Sequence, residues 1–319
     1  FFTCINYGSG KIAIGGWSSS TSIPLVSTYA NNYQTSSGEG CYLRCDTSGV
    51  LIHSTKIKGY VKDADFDSNG NSYIVGYTVS NFIPVWTSNP SFYQQVYAGI
   101  NDWFIHKFNT TDSLTWSTPV GGSSLDYGTG ICIKDSLMAI CGYGGSADFP
   151  FVKSVNDSGN TFKRYQDDIQ LAKFNLKNGQ LLWCVAHATQ YKEQAYDLTF
   201  DKDYNLYITG SVDCPITSTI SCSNPSDFRP LNASGYYYQS TRVGPDAFVL
   251  GFDRDNHRNW LTYFGSSVGG IGTNGEYGNT IVANSKNQIF MAGSTADRTN
   301  TLPLSRWNST CYYDSTHAD

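Results

Sequence analysis

The sequence predicts an all-β protein, a β-propeller or a segment of one, made of four-stranded antiparallel blades. Three observations predict it. A short apolar run ending in glycine recurs five times along the 319 residues. Strand-like runs separated by turn residues surround each copy. No long stretch carries the i, i+3, i+4, i+7 apolar spacing of an amphipathic helix.

The recurring run reads KIAIGG (11–16), SYIVGY (72–77), LMAICGY (137–143), LYITGS (206–211) and IFMAGS (289–294). Its glycines are Gly15, Gly76, Gly142, Gly210 and Gly293, and each is followed by a polar stretch and a proline. Segments 63–76 (DADFDSNGNSYIVG) and 197–210 (DLTFDKDYNLYITG) read as strand, turn, strand. Asn and Gly tolerate the positive φ of a tight turn, so both are hairpins. A second element reads DWFIHKF (102–108), DIQLAKF (168–174) and DAFVLGF (246–252), with GCYLRCD (40–46) in register. A third is marked by Trp116, Trp183 and Trp260, with His53 in the first copy. Four strands every ~60 to 80 residues is the pattern of propeller blades. The units span about 1–59, 60–122, 123–188, 189–267 and 268–319, one repeat domain over 1–319. The end blades are expected to be incomplete, and exposed sheet edges invite pairing with another chain. Ring closure within the chain is the commoner alternative.

Taken together, W-x-T-x-x-G-G, D-x-x-G-N-x-Y-ψ-x-G, G-x-T-x-S-x-x-F-P and D-x-F-ψ-x-K-F resemble the β-propeller repeat known as SBBP. The likeness covers nearly the whole chain. The first unit departs from it, with Gly40, Cys45 and His53 in place of the Asp, Phe and Trp of the others. The resemblance implies a propeller on a secreted or surface-attached protein and leaves the activity open.

Charged residues make up only 15% of the chain and the net charge is -5, which excludes the basic surface of a nucleic-acid binder. No apolar run approaches the ~20 residues of a membrane-spanning helix. No signal peptide is visible and residue 1 is Phe, so the chain is expected to be processed or cropped. Nine cysteines and the sequons at Asn109, Asn156, Asn232 and Asn308 point to an extracellular or cell-surface setting with attached glycans. Cys132 and Cys141 flank a tight hairpin and Cys214 and Cys222 close a short loop, so both are disulfide candidates. No cysteine or histidine spacing suits zinc.

Asp65, Asp67 and Asn69 have the alternate spacing of a calcium loop, but no later carboxylate completes it. They fit a hairpin turn equally, and no cofactor is expected. Asp102, Asp168 and Asp246 open equivalent strands, so one structural task, capping backbone donors at a blade corner, is expected of all three. His53, His106, His187, His257 and His317 fall at unrelated repeat positions, and no nucleophile motif stands beside them. The long insertions 151–167 and 216–245 are the natural binding loops, and Tyr236, Tyr237 and Tyr238 stand on the second. The expected function is non-enzymatic: an extracellular structural or adhesive protein of a coat, matrix or filament. Its partners would be other chains, including copies of itself that complete the end blades. Two alternatives remain, a carbohydrate- or protein-binding module using the loop tyrosines and a hydrolase with carboxylates at the propeller axis.

Overall fold

A computed structural model describes residues 1–20, 23–26, 39–78, 86–87, 94, 96–152, 167–188, 191–213, 230–240, 244–265 and 275–295. Asn156, Asn308, Cys214, Cys222 and His317 lie outside the described residues. All regular structure among the described residues is β, in propeller-type blades. The first blade runs in order β1 (Phe2–Gly8), β2 (Lys11–Trp17), β3 (Gly40–Asp46) and β4 (Leu51–Ile57). The second consists of β5 (Tyr60–Phe66), β6 (Ser72–Thr78), β8 (Asp102–Phe108) and β9 (Leu114–Val120), with the short β7 (Trp86–Thr87) on its outer edge. The third holds β10 (Asp126–Lys134), β11 (Leu137–Gly144), β12 (Asp168–Asn175) and β13 (Leu181–His187). The fourth holds β14 (Glu193–Phe200), β15 (Leu206–Val212), β16 (Asp246–Phe252) and β17 (Arg258–Phe264). Of the fifth, the described residues include the inner hairpin, β18 (Tyr277–Ala283) and β19 (Ile289–Ser294).

The chain divides into two compact units, Phe1–Val155 with Ile169–Ala186 and Asn156–Asp168 with His187–Asp319. In the first unit, Ala13, Tyr42 and Ile57 of the first blade pack on Val61, Ala64, Ile74 and Phe104 of the second. Tyr73, Trp103 and Ile105 of the second then pack on Ile131, Ile140, Ala172 and Cys184 of the third. In the second unit, Tyr207, Val249 and Trp260 of the fourth blade pack on Ile281 of the fifth. No blade can bury both of its faces alone, and this need is what forces adjacent blades into contact.

The hairpin turns follow one rule. Asp67 Oδ1 accepts from Asn69 N–H (3.0 Å) and Asn71 N–H (2.9 Å). Asp201 receives Asp203 and Asn205 N–H in the same way, and Asn284 receives those of Lys286 and Gln288. Between β3-type and β4-type strands, Asp46, Asn109 and Asp253 repeat the device. Such side-chain bonds replace a missing backbone partner and set the turn. The residue three further on takes positive φ: Gly70 at 80°, but also Tyr204 at 68°.

The repeated glycine has a steric cause. Each inner strand carries a bulge opposite it, and a Cβ at Gly76 or Gly210 would strike the carbonyl oxygen of Tyr60 or Gln194. In the first hairpin the register gives this place to Gly16, opposite Phe2, one residue beyond the expected Gly15. Another shift concerns the cysteines of the third blade. Cys132 stands opposite Ala139 and Cys141 opposite Gly130, because the two-residue turn between Lys134 and Leu137 sets a register in which the two are offset by two residues. The two cysteines are therefore not the directly opposed pair that the sequence predicts.

Candidate functional site: an aromatic groove beside an open sheet edge

The site is built from the second unit. β16 and β17 present Ala247, Val249, Trp260, Thr262 and Phe264 on the face turned toward the fifth blade. β19 presents Ile289 and Met291 opposite them. A groove of about 340 Å³ lies between, with Tyr237, Tyr277 and Glu276 along its rim. In the second blade the equivalent residues Trp103 and Ile105 are covered by β12 and β13. Here β19 pairs with β18 and, among the described residues, with no third strand. Among the described residues, the groove thus has the location that outer strands fill elsewhere in the chain, next to the β19 edge. Thr295 Oγ1 donates to Glu276 Oε1 (2.8 Å) at one end of it.

Tyr236 and Tyr237 of the loop take part in this surface. Tyr236 packs on Trp260 with ring centroids 4.6 Å apart, and its hydroxyl lies 3.4 Å from that of Tyr207. Tyr237 lies against Phe264, donates its hydroxyl to Gln239 Oε1 (2.9 Å), and accepts from Trp260 Nε1 at its carbonyl (3.2 Å). Even so, Tyr236, Tyr237 and Tyr238 stay 40%, 44% and 39% exposed. Burial pushes the Tyr237 hydroxyl above its ordinary pKa, and Asp246 adds to the effect. Sequence reading found the tyrosines but missed Trp260, Phe264 and Met291 as their neighbours. Trp260 is a repeat marker and the other two carry strand periodicity, and neither signal tells a covered face from an exposed one.

A second cavity of about 340 Å³ lies in the first unit, lined by Tyr73, Lys107, Asn109, Trp116, Met138 and Asn175. Lys107 Nζ stands 5.2 Å from the centre of the Tyr73 ring. Asn109, half-buried, gives its Oδ1 to the turn at Thr111 and Ser113. Asn232 is exposed.

The acidic candidates are occupied by the fold. Asp67 spends Oδ1 on the turn, and its Oδ2 accepts from Asn71 Nδ2 (2.7 Å) and Tyr73 hydroxyl (3.3 Å). Asp65 Oδ2 accepts Ile133 N–H of the neighbouring blade (2.7 Å), and Asp63 Oδ2 accepts that of Ile131 (2.9 Å). Asp197 does the same to Ile281 N–H (2.8 Å). The inner strands are therefore stitched across blades by carboxylates. Asn69 gives its backbone N–H to Asp67, and no three His, Cys, Asp or Glu side chains group for a metal among the described residues.

Asp102, Asp168 and Asp246 are all buried at the start of their strands. Asp102 Oδ2 accepts Ala98 N–H (2.8 Å), which is the corner capping expected of it. Burial raises its pKa to about 6. Asp168 differs: its carboxylate has no hydrogen-bond partner among the described residues. Burial, with Glu193 and then Asp167 nearby, pushes its pKa up to about 8. His53 and His106 are packed, and burial lowers them to about 4 and about 3. His106 Nδ1 lies 2.7 Å from Ser117 Oγ.

No family model matches the chain, and no curated protein matches it. Among solved structures, the chain is similar to a GH43_12 protein retrieved from capybara gut metagenome at 12% identity and a TM-score of 0.37. That match covers 81% of this chain, which spans only 40% of the other. It is also similar to BamB from Moraxella catarrhalis (13% identity, 92% and 85% of the two chains, TM-score 0.28) and to a Dos1 propeller (7%, 92% and 90%, TM-score 0.31).

Proposed function

We propose that this chain is a non-enzymatic structural or adhesive propeller, extracellular or at a cell surface, that works by binding other polypeptides. Its binding element is the groove beside β19, and the occupant is an extended strand with apolar residues at alternate positions. The observation that carries this reading is the pairing of an apolar aromatic groove with an adjacent strand edge. Strand addition uses both at once: backbone bonds along the edge supply affinity, and alternate side chains fill the groove. The chain's own third strand Asp168–Asn175 lies in the equivalent place in the third blade, with the alternate residues Ala172 and Phe174 in the cluster of Trp103 and Ile105. An extracellular setting accords with the exposed sequon at Asn232 and with the SBBP-like phrases, and the finer family assignment is proposed with it.

A synthetic peptide carrying the sequence of 168–174 (DIQLAKF) tests the reading by titration calorimetry. Binding is expected, and Met291→Lys, which places a charge in the groove, is expected to weaken it at least about tenfold. Equal heats for the native chain, the variant and a scrambled peptide would remove the reading. A second reading, stacking of sugars on the loop tyrosines, is favoured by their exposure. A glycan array on which the native chain and Tyr238→Ala give the same signal would dispose of it.

A further inference from the structure

Within each unit a blade turns a back face toward the preceding blade and a front face toward the next. The inner-hairpin registers place equivalent residues unambiguously, because each is counted from the same bulge. On the back face, Ile5, Ala64, Ile131, Leu198 and Ile281 are one position. The last four are 0%, 3%, 3% and 4% exposed, whereas Ile5 is 72% exposed. Phe2 and Tyr7 flank it on the same face at 70% and 65%, where their equivalents Val61 and Phe66 are 0% and 8%. On the front face, Ala13, Tyr73, Ala139, Tyr207 and Phe290 are one position. The first four are 0%, 1%, 0% and 3% exposed, whereas Phe290 is 54% exposed, with Val282 opposite it at 56%.

Among the described residues, the β1 back face and the β18–β19 front face are therefore exposed, and both are apolar. They are the two halves of a contact that the chain forms repeatedly within itself, as when Tyr73 meets Ile131 and Ile140, or Tyr207 meets Ile281. We propose that copies of this chain associate head to tail, the β1 back face of one docking on the β18–β19 front face of the next. The occupant is a second copy because the chain itself supplies the matching half with the same strand register. This deepens the assembly reading by naming the partner, on a surface separate from the groove. Ile281 and Met291 point into the groove side, and Phe290 and Val282 point away from it. Because the two patches differ, the contact is heterologous, and repetition of it gives a ring or an open filament.

Sedimentation velocity on residues 1–319 over a wide concentration range tests the proposal. The native chain is expected to associate as concentration rises. Ile5→Asp and Phe290→Asp each remove one patch by charging an exposed position, so melting should stay native-like while self-association weakens by about 100-fold. An equimolar mixture of the two variants should restore a 1:1 dimer and nothing larger, since each brings one intact face. Met291→Lys, which blocks the groove, should leave this association unchanged. A native chain that stays monomeric throughout, a mixture that stays monomeric, or a Phe290→Asp chain that still self-associates like the native one would each overturn the proposal. The last result would mean that β1 pairs with β1.

Discussion

Asp168 opens β12 fully buried, with Glu193 and Asp167 as its charged neighbours. Its folded pKa of about 8 stands above the unfolded carboxyl value of ~3.9, so the fold binds a proton that the open chain releases. The stabilisation is complete below the unfolded value and is lost as pH rises through 8. Asp168→Asn is expected to gain on the native chain between pH 5 and pH 8, the gap growing by at most about 1.4 kcal/mol per pH unit. Urea melts at both values measure it, and parallel curves would contradict it. His53 and His106 act in the opposite sense. Lowered to about 4 and about 3, they lend stability above the ordinary histidine value that is lost as pH falls through the folded ones. Arg44 and Asp112 form a fully buried ion pair (2.5 Å) that ties the first blade to the β8–β9 turn. Arg44→Met leaves a buried carboxylate alone and is expected to lose about 3–5 kcal/mol by urea denaturation. Adding Asp112→Asn, which suits the positive φ there, should recover most of that loss.

At the scale of the hairpin, what was legible in the sequence was local. Asp67, Asn69 and Gly70 read as a turn because the bonds that make it span no more than four residues. The same side chains read as a calcium loop for the same reason, and the structure gives Asp67 the partners that a turn requires. Asp67→Ala and Asp201→Ala are each expected to cost about 1–2 kcal/mol. A melting point that rises with millimolar calcium would show instead that the loop takes a cation. Tyr204, held at positive φ, should gain up to about 1 kcal/mol as Tyr204→Gly, measured the same way. The stitching of Asp63 to Ile131, 68 residues away, was not legible. Nothing near Asp63 names its partner, and only packed blades bring the two together. The repeated glycine was visible as a letter, but its cause, a bulge on the opposing strand, is a property of the pair.

For the whole molecule, the recurrence of apolar ribbons was enough to foresee blades, because a ribbon with two apolar faces has to be covered on both. Which faces stay open was not foreseeable residue by residue. Ile5 and Ile131 look alike in sequence and differ only in what lies over them. The long insertions also gained a task that composition did not suggest. Val152 bridges Cys184, Leu231 bridges Leu261, and β7 pairs with β9, so stretches of these loops run along the outer strands and shield them. The central claim is that this chain is a series of four-stranded blades in which the exposed β1 back face and β18–β19 front face bring copies together. A crystal or cryo-electron microscopy map of the associated protein tests it most directly. It should show Ile5 of one copy in van der Waals contact with Phe290 of the next. A map in which Ile5 faces solvent while copies meet through other surfaces would contradict it.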